Sequence, residues 1–290
     1  GKAGPALNHQ MVTLSGGLYF VATPIGTARD ITLRALDILA SADVIAAEDT
    51  RSLRRLMEIH GVPLGGRRVV SYHDHSGAGS RARLLEALSE GKSVAYASEA
   101  GMPLIADPGY DLSRAAAEAG FMVTVAPGPS AVLAALTLAG LPTDAFFFAG
   151  FLPNSAGQRR SRLEALKEVP GTLVFYESPK RVAASLKDMA DVLGVDRKAA
   201  VCRELTKKFE EVRRGTLESL AAADDKAPRG EIVVLVDRGG SLTVSEVDLE
   251  TDLRTALKTQ SVRDAADFVA QLHGLPRRKV YQLALKLEGD

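Results

Sequence analysis

The 290-residue chain reads as an α/β protein of two α/β domains followed by a small helical module, and three observations predict this. Short apolar runs alternate with Gly/Pro/Asp turns and amphipathic segments, the rhythm of strands interleaved with helices. The apolar runs are rich in Val, Ile and Ala with little polar alternation, as in parallel strands covered on both faces. After Gly239-Gly240-Ser241 the strand signals stop and only helical spacing remains. The length is also generous for a single core.

Taken in order, residues 1–15 form an extension, and residues 16–127 a first domain. Its predicted strands are Leu18–Ile25, Asp43–Glu48, Arg68–Tyr72, Ser93–Ser98 and Met122–Ala126. Asp30 is placed to cap a helix over Ile31–Ala42. Helices over Arg81–Ser89 and Leu112–Ala119 run to Gly91 and Gly120, which suit C-terminal caps. Residues 128–240 make a second domain, opening with a helix at Ala131–Ala139. A strand at Ala145–Gly150 follows, whose Phe146-Phe147-Phe148 predicts cover on both faces, then a basic helix at Arg159–Lys167. Strands at Thr172–Tyr176, Ala199–Arg203 and Glu231–Val236 complete it. The stretch Thr206–Gly215, with a strand at Glu210–Arg214, predicts an antiparallel piece and a mixed sheet. Residues 241–290 carry three short helices, at Leu253–Leu257, Val262–Leu272 and Arg277–Leu287.

Lys+Arg and Asp+Glu both number 36, so no general basic excess draws the chain to nucleic acid. The basic residues are clustered instead: Arg51, Arg54 and Arg55; Arg159, Arg160 and Arg162; Arg213 and Arg214; Arg277, Arg278 and Lys279. Each cluster taken alone is read as a solvated helix face, yet local phosphate-binding faces stay open. The last stands at a helix start, where anions are already favoured. Cys202 is the only cysteine, which excludes an internal disulfide or Cys-based zinc site and fits a reducing cytoplasm. Gly1–Gln10 lacks the apolar core of a secretory leader, and Leu18–Ile25 is too short to span a bilayer, so no membrane attachment is expected.

The chemistry is expected in three Gly/Pro loops. Ser98-Glu99-Ala100-Gly101-Met102-Pro103-Leu104-Ile105-Ala106-Asp107-Pro108-Gly109 follows a buried strand and precedes a helix, the position at which open α/β sheets bind ligands. Gly101 allows close backbone approach while Pro103 and Pro108 stiffen the loop. Pro127-Gly128-Pro129-Ser130-Ala131 and Thr23-Pro24-Ile25-Gly26 also sit at strand ends, and three such loops imply one shared crevice. Other sites are set aside. Gly91-Lys92-Ser93 has Glu86 where a phosphate loop needs Gly; Gly128–Val132 lacks the second Gly of a nucleophile elbow; no G-x-G-x-x-G opens a helix. His73-Asp74-His75 has no third ligand at a sensible spacing, so no metal is expected.

At these loops the chain resembles the tetrapyrrole-methylase superfamily, and within it the small-subunit ribosomal RNA methyltransferase I family. The matching phrases are Thr23-Pro24-Ile25-Gly26, Ala47-Glu48-Asp49-Thr50-Arg51, His73-Asp74-His75, Ser98–Pro108, Phe151-Leu152-Pro153, Phe175-Tyr176-Glu177-Ser178, Arg203-Glu204-Leu205-Thr206-Lys207 and Gly230-Glu231, in the expected order. Glu99, Met102 and Thr27 depart from the family's usual Asp, Thr and Asn. The resemblance implies a homodimer that binds S-adenosylmethionine in its interdomain cleft. It implies methylation of a cytidine ribose 2′-hydroxyl in 16S ribosomal RNA at the decoding centre of the small subunit. Carried over by position, Pro24, Ala100, Gly101, Met102 and Ile105 line the cofactor site from the first domain. Ser130 and Ala131 lie at the junction, and Tyr176, Leu205 and Gly230 close it from the second.

Methyl transfer from a sulfonium is a displacement that rewards alignment. A ribose hydroxyl also gains from a general base, for which Glu48, Asp49, Glu99 and Glu177 are candidates. Lys207 or Arg203 can hold a phosphate or stabilise a developing alkoxide. Arg partnership or helix capping is the competing role for each carboxylate. The alternatives are a same-fold methyltransferase acting on a tetrapyrrole or diphthine-type substrate, and a ribosome-assembly factor without turnover.

Overall fold

Ala-, Val- and Ile-rich runs too short for helices pair edge to edge when every strand can bury both faces. A computed structural model describes residues 7–73, 77–223, 230–239 and 246–289, and its first sheet is built this way. Strands β1 (Gly17–Val21), β2 (Val44–Ala47), β3 (Val69–Ser71), β4 (Ser93–Ala97) and β5 (Val123–Ala126) lie in the order β3-β2-β4-β1-β5. All their pairings are parallel. Helices α1 (Leu33–Ser41), α2 (Thr50–Ile59), α3 (Gly77–Ser89) and α4 (Tyr110–Glu118) cover the sheet. Along β1 the side chains alternate between two cores: Tyr19 and Val21 meet Leu36, Leu39 and Met57, while Leu18 and Phe20 meet Leu84, Leu112 and Tyr96.

Two local expectations change. The first strand stops at Val21, because Thr23 leaves the ladder to form an isolated bridge with Gly101. The first helix is capped by Thr32, whose hydroxyl accepts from the Ala35 amide at 3.0 Å; Asp30 sits in a turn, its N–H donating to the Thr27 carbonyl. Asp49 caps α2, a helix for which the sequence reading had assigned no range.

The second sheet has five strands, β6 (Phe146–Phe151), β7 (Thr172–Glu177), β8 (Lys198–Arg203), β9 (Glu211–Thr216) and β10 (Ile232–Val236), ordered β6-β7-β10-β8-β9. β6 and β7 are parallel and the other pairings antiparallel, so the sheet is mixed as expected. One face packs on α6 (Ala156–Leu166), α7 (Val182–Leu193) and α8 (Leu217–Ala222). The other packs on α5 (Ala131–Ala139), whose Val132, Ala135 and Leu136 meet Val174, Cys202 and Val233. Since β6 is an edge strand, Phe146 and Phe147 keep 44% and 38% exposure, so the expectation of cover on both faces is overturned. The basic cluster on α6 is partly internal: Arg159 is buried and donates to Asp188 at 2.7 Å, and Arg160 pairs with Asp188 and Asp191.

Helices α9 (Glu246–Leu257), α10 (Val262–His273) and α11 (Arg277–Glu288) enclose a core of their own, with Leu253, Ala265, Val269, Val280 and Ala284 at its centre. Ser261 caps α10, and Gly274, at φ 63°, turns the chain into α11. No helix among the described residues is long and apolar enough to cross a membrane.

Candidate active site

Because the first sheet is all parallel, the loops after its strands emerge along one edge. The three Gly/Pro loops meet there. Thr23 and Gly101 exchange backbone hydrogen bonds of 3.1 and 2.9 Å, and the Gly128 amide donates to the Met102 sulfur at 3.4 Å. Thr23 and Ser98, both buried, tie the first and second loops through their hydroxyls. Gly101 stands at φ 76°, and a Cβ there would lie 3.1 Å from Ile25 Cγ2 and 3.2 Å from the Pro129 carbonyl oxygen. Only glycine fits that junction without strain.

Facing these loops is the end of the second sheet. Between the two lies a cleft of about 220 Å³. Its near wall comprises Ile25, Glu48, Glu99, Ala100, Ile105 and Asp107. Its far wall includes Phe151, Tyr176, Glu204, Leu205, Lys207 and Glu231. A clasp joins the lips: the Thr27 amide donates to the Thr206 hydroxyl at 2.9 Å, and the Thr27 hydroxyl donates to the Thr206 carbonyl. Thr27, one of the departures from the family pattern, is thus itself part of the clasp.

Backbone strain gathers at the same place. The non-glycine residues with left-handed φ among those described are Leu104, Ala106, Glu204 and Thr206, two on each lip. Such conformations cost about 1–3 kcal/mol each and persist where the surroundings impose them, commonly at functional sites. Gly230, at φ 79°, backs the far lip so closely that a Cβ would collide with the Glu204 carboxylate.

The cleft is acidic. One carboxylate oxygen each from Glu48, Glu99 and Asp107 lies within 4.8 Å of the others. The first two follow β2 and β4, adjacent strands with Ala47 opposite Ala97, so the pairing register itself brings the carboxylates together. On the far wall Lys207 Nζ sits 3.0 Å from Glu204. Glu231 keeps solvent contact along its length, yet desolvation inside the cleft pushes its carboxyl pKa up; Lys207 opposes this, and Glu99 and Glu204 add to it. Burial pushes the Tyr176 hydroxyl up to about 12, with Glu231 and Asp107 adding to the shift. Its ring is held edge-on by Phe148 and Phe151 at 4.9 and 5.7 Å.

Of the residues singled out in the sequence, Glu48, Glu99, Glu177 and Lys207 line the cleft, as do Ala100, Ile105, Ala131, Tyr176 and Leu205. Gly101 and Met102 shape the loop junction behind it, next to Pro24. Ser130 caps α5, accepting from the Leu133 amide at 3.2 Å. Asp49 is committed to the α2 cap, and Glu177 accepts from the Ser178 amide and the Ser185 hydroxyl at 2.8 and 2.7 Å. Sequence reasoning had not singled out Phe151, Glu204 and Glu231 as site residues, although each stands in a phrase that carried the resemblance. Asp74 and His75 lie outside the described residues.

The cleft combines apolar walls, glycines that admit backbone approach and a surplus of carboxylates. Such a lining suits a nucleoside carrying cationic groups, so the residues present fit S-adenosylmethionine. The family model for tetrapyrrole (corrin/porphyrin) methylases matches residues 17–221, and that for the RsmI C-terminal HTH domain matches residues 243–288. A protein of Mesorhizobium japonicum named ribosomal RNA small subunit methyltransferase I is 49% identical over 96% of each chain. The protein of that name from Escherichia coli O157:H7 is 41% identical over 97% of this chain and 99% of its own. Among solved structures, diphthine synthase superposes with a TM-score of 0.60 at 20% identity, covering 76% of this chain and 89% of its own. The methyltransferase CobJ gives 0.59 at 21%, covering 80% and 98%. At such identities these two speak for the fold alone. By its near full-length similarity and its fold, the chain belongs to the ribosomal RNA small subunit methyltransferase I family, within the tetrapyrrole methylases.

Proposed function

We propose that this chain methylates the 2′-hydroxyl of a cytidine ribose in 16S ribosomal RNA, at the decoding centre of the small subunit. The coarser activity, ribosomal RNA methylation with S-adenosylmethionine as donor, goes with its family. What supports the reading is near full-length similarity to proteins named for small-subunit ribosomal RNA, joined to a cleft walled by both sheets; the cytidine ribose and the decoding centre come from the resemblance alone. Arg51, Arg54 and Arg55 on the exposed face of α2, which begins beside Glu48, offer phosphate contacts at the rim.

Bound in the cleft, the cofactor supplies an activated methyl group at its sulfonium. The residues have three tasks. Ala100 and Leu205 would hold the donor from the two lips, with Gly101 shaping the loop behind, and positioning of this kind can contribute about 7–11 kcal/mol in ideal cases. Glu48 or Glu99, clustered with Asp107, would take up the proton of the acceptor hydroxyl. Lys207 steadies charge at the acceptor side. Asp49 and Glu177, engaged in a cap and in paired hydrogen bonds, serve as positioning residues. The boundary near residue 127 then divides the two donor-holding lips, and the one near 240 sets off an RNA-gripping tail. We read the exposed Phe146, Phe147 and Leu133, around a groove by α5, as the contact with a second copy, and the protein as cytoplasmic.

Small subunits from cells lacking the activity, incubated with donor labelled in its methyl group, test this. Ribose 2′-O-methylation blocks alkaline cleavage, so label is expected in alkali-resistant dinucleotides. Label in mononucleotides would move the target to a base. Cofactor binding without any label would favour a small-molecule substrate or a docking role.

A further inference from the structure

The loop between β8 and β9 carries an aromatic residue that the catalytic reading leaves unused. Phe209 is the most exposed large apolar side chain among the described residues, at 76%. It lies two residues beyond Lys207, which lines the cleft. The loop that displays it is firmly built. The Thr206 amide donates to Glu210 Oε1 at 2.9 Å, the Lys207 amide to the Glu204 carbonyl at 3.0 Å, and the Glu210 amide to the Lys207 carbonyl at 3.1 Å. Thr206 is also clasped to Thr27. An apolar ring held in water by a strained, internally bonded loop is displayed for contact rather than left over from packing.

The charges around it indicate the kind of contact. Lys208 Nζ stands 5.5 Å from the Phe209 ring centroid. The neighbouring acids are engaged internally, Glu210 by the Thr206 amide and Glu211 by Arg213. The tip therefore presents an exposed aromatic ring with a lysine ammonium over one face, the pairing that single-stranded nucleic acid uses: a base stacks and a phosphate is held. A second copy of this chain would find the apolar patch around Phe146 and Phe147 better suited than a lone ring flanked by lysines.

We propose that Phe209 is a stacking platform for a nucleobase of the RNA substrate, with Lys208 on the adjoining phosphate. The inference rests on the RNA reading above. A ribose hydroxyl reaches a cleft walled on both sides only if its nucleotide leaves the helical stack, and the extruded or neighbouring base then needs a new surface. Phe209, exposed two residues beyond the cleft-lining Lys207, supplies one.

Phe209→Ala and Phe209→Trp test this, the latter providing the only tryptophan in a chain that has none. Alanine is expected to raise KM for small subunits about tenfold, while calorimetric cofactor affinity and sedimentation mass stay those of the parent. Tryptophan is expected to keep turnover, and its emission to be quenched by a cytidine-containing single-stranded oligoribonucleotide. An unchanged KM in the alanine variant would overturn the proposal. So would weakened cofactor binding, which would assign the ring to the donor's adenine, or dissociation into monomers, which would assign it to a second copy. Unquenched emission in the presence of the oligoribonucleotide would also overturn it. Failure of the parent itself to methylate subunits would overturn the RNA reading, and this inference with it.

Discussion

At the scale of single residues, the site depends on backbone that few side chains tolerate. Gly101→Ala places a Cβ into left-handed backbone and against Ile25 and the Pro129 carbonyl. Calorimetry should show cofactor affinity at least about tenfold lower, with the fold intact by circular dichroism; unchanged affinity would remove Gly101 from the site. Asp111 reports a different balance. Partial desolvation would raise its pKa, but the hydrogen bond from the Tyr72 hydroxyl at 2.7 Å and the Arg81 ion pair at 3.1 Å outweigh this and hold it below the usual 3.8. A lowered carboxyl contributes stability that is present above its unfolded pKa and lost as pH falls through the folded value. Asp111→Asn should therefore unfold at lower urea than the parent at neutral pH, with the two curves converging as pH falls through the carboxyl's lowered folded-state pKa. A gap independent of pH would show that the contribution is not ionic.

At the scale of elements, α6 and α7 are joined by a buried ion pair rather than by apolar packing alone. Asp188→Ala would strand the Arg159 guanidinium inside, at a cost of about 3–5 kcal/mol, visible as a large fall in melting temperature. The sequence identified the helix but not the pair, because a basic cluster looks alike whether it faces water or a buried Asp 29 positions away. Strand existence was legible throughout: runs such as Ser93–Ala97 and Ile232–Val236 are apolar enough for no other role. Strand ends were not: the run Leu18–Ile25 overlaps the Thr23-Pro24-Ile25-Gly26 loop, and the ladder stops at Val21, with Thr23 pairing to Gly101 instead. Edge position was equally hidden. Three consecutive Phe residues imply burial until the strand order puts β6 outermost. Phe146→Asp should accordingly shift sedimentation from dimer toward monomer if that edge meets a second copy, and leave the mass unchanged if it does not.

At the scale of the whole molecule, an all-parallel sheet sends its loops to one edge, a mixed sheet closes over them, and the clasp from Thr27 to Thr206 holds the lips together. The near lip could be read from the sequence, because Gly and Pro mark it and local order fixes which strand precedes each loop. The far lip was legible only through resemblance. Its members Phe151, Glu204 and Glu231 come from three strands' ends, and the strain at Glu204 and Thr206 arises from tertiary contact that no local pattern records. The central claim is that the donor is held between both lips at once. Amide hydrogen exchange with and without S-adenosylmethionine tests it most directly. Slowed exchange is expected together at residues 23–27, 98–109 and 203–207 and around residues 230–233. Protection confined to one lip, or centred on the groove by Leu133 and Gly140, would contradict it.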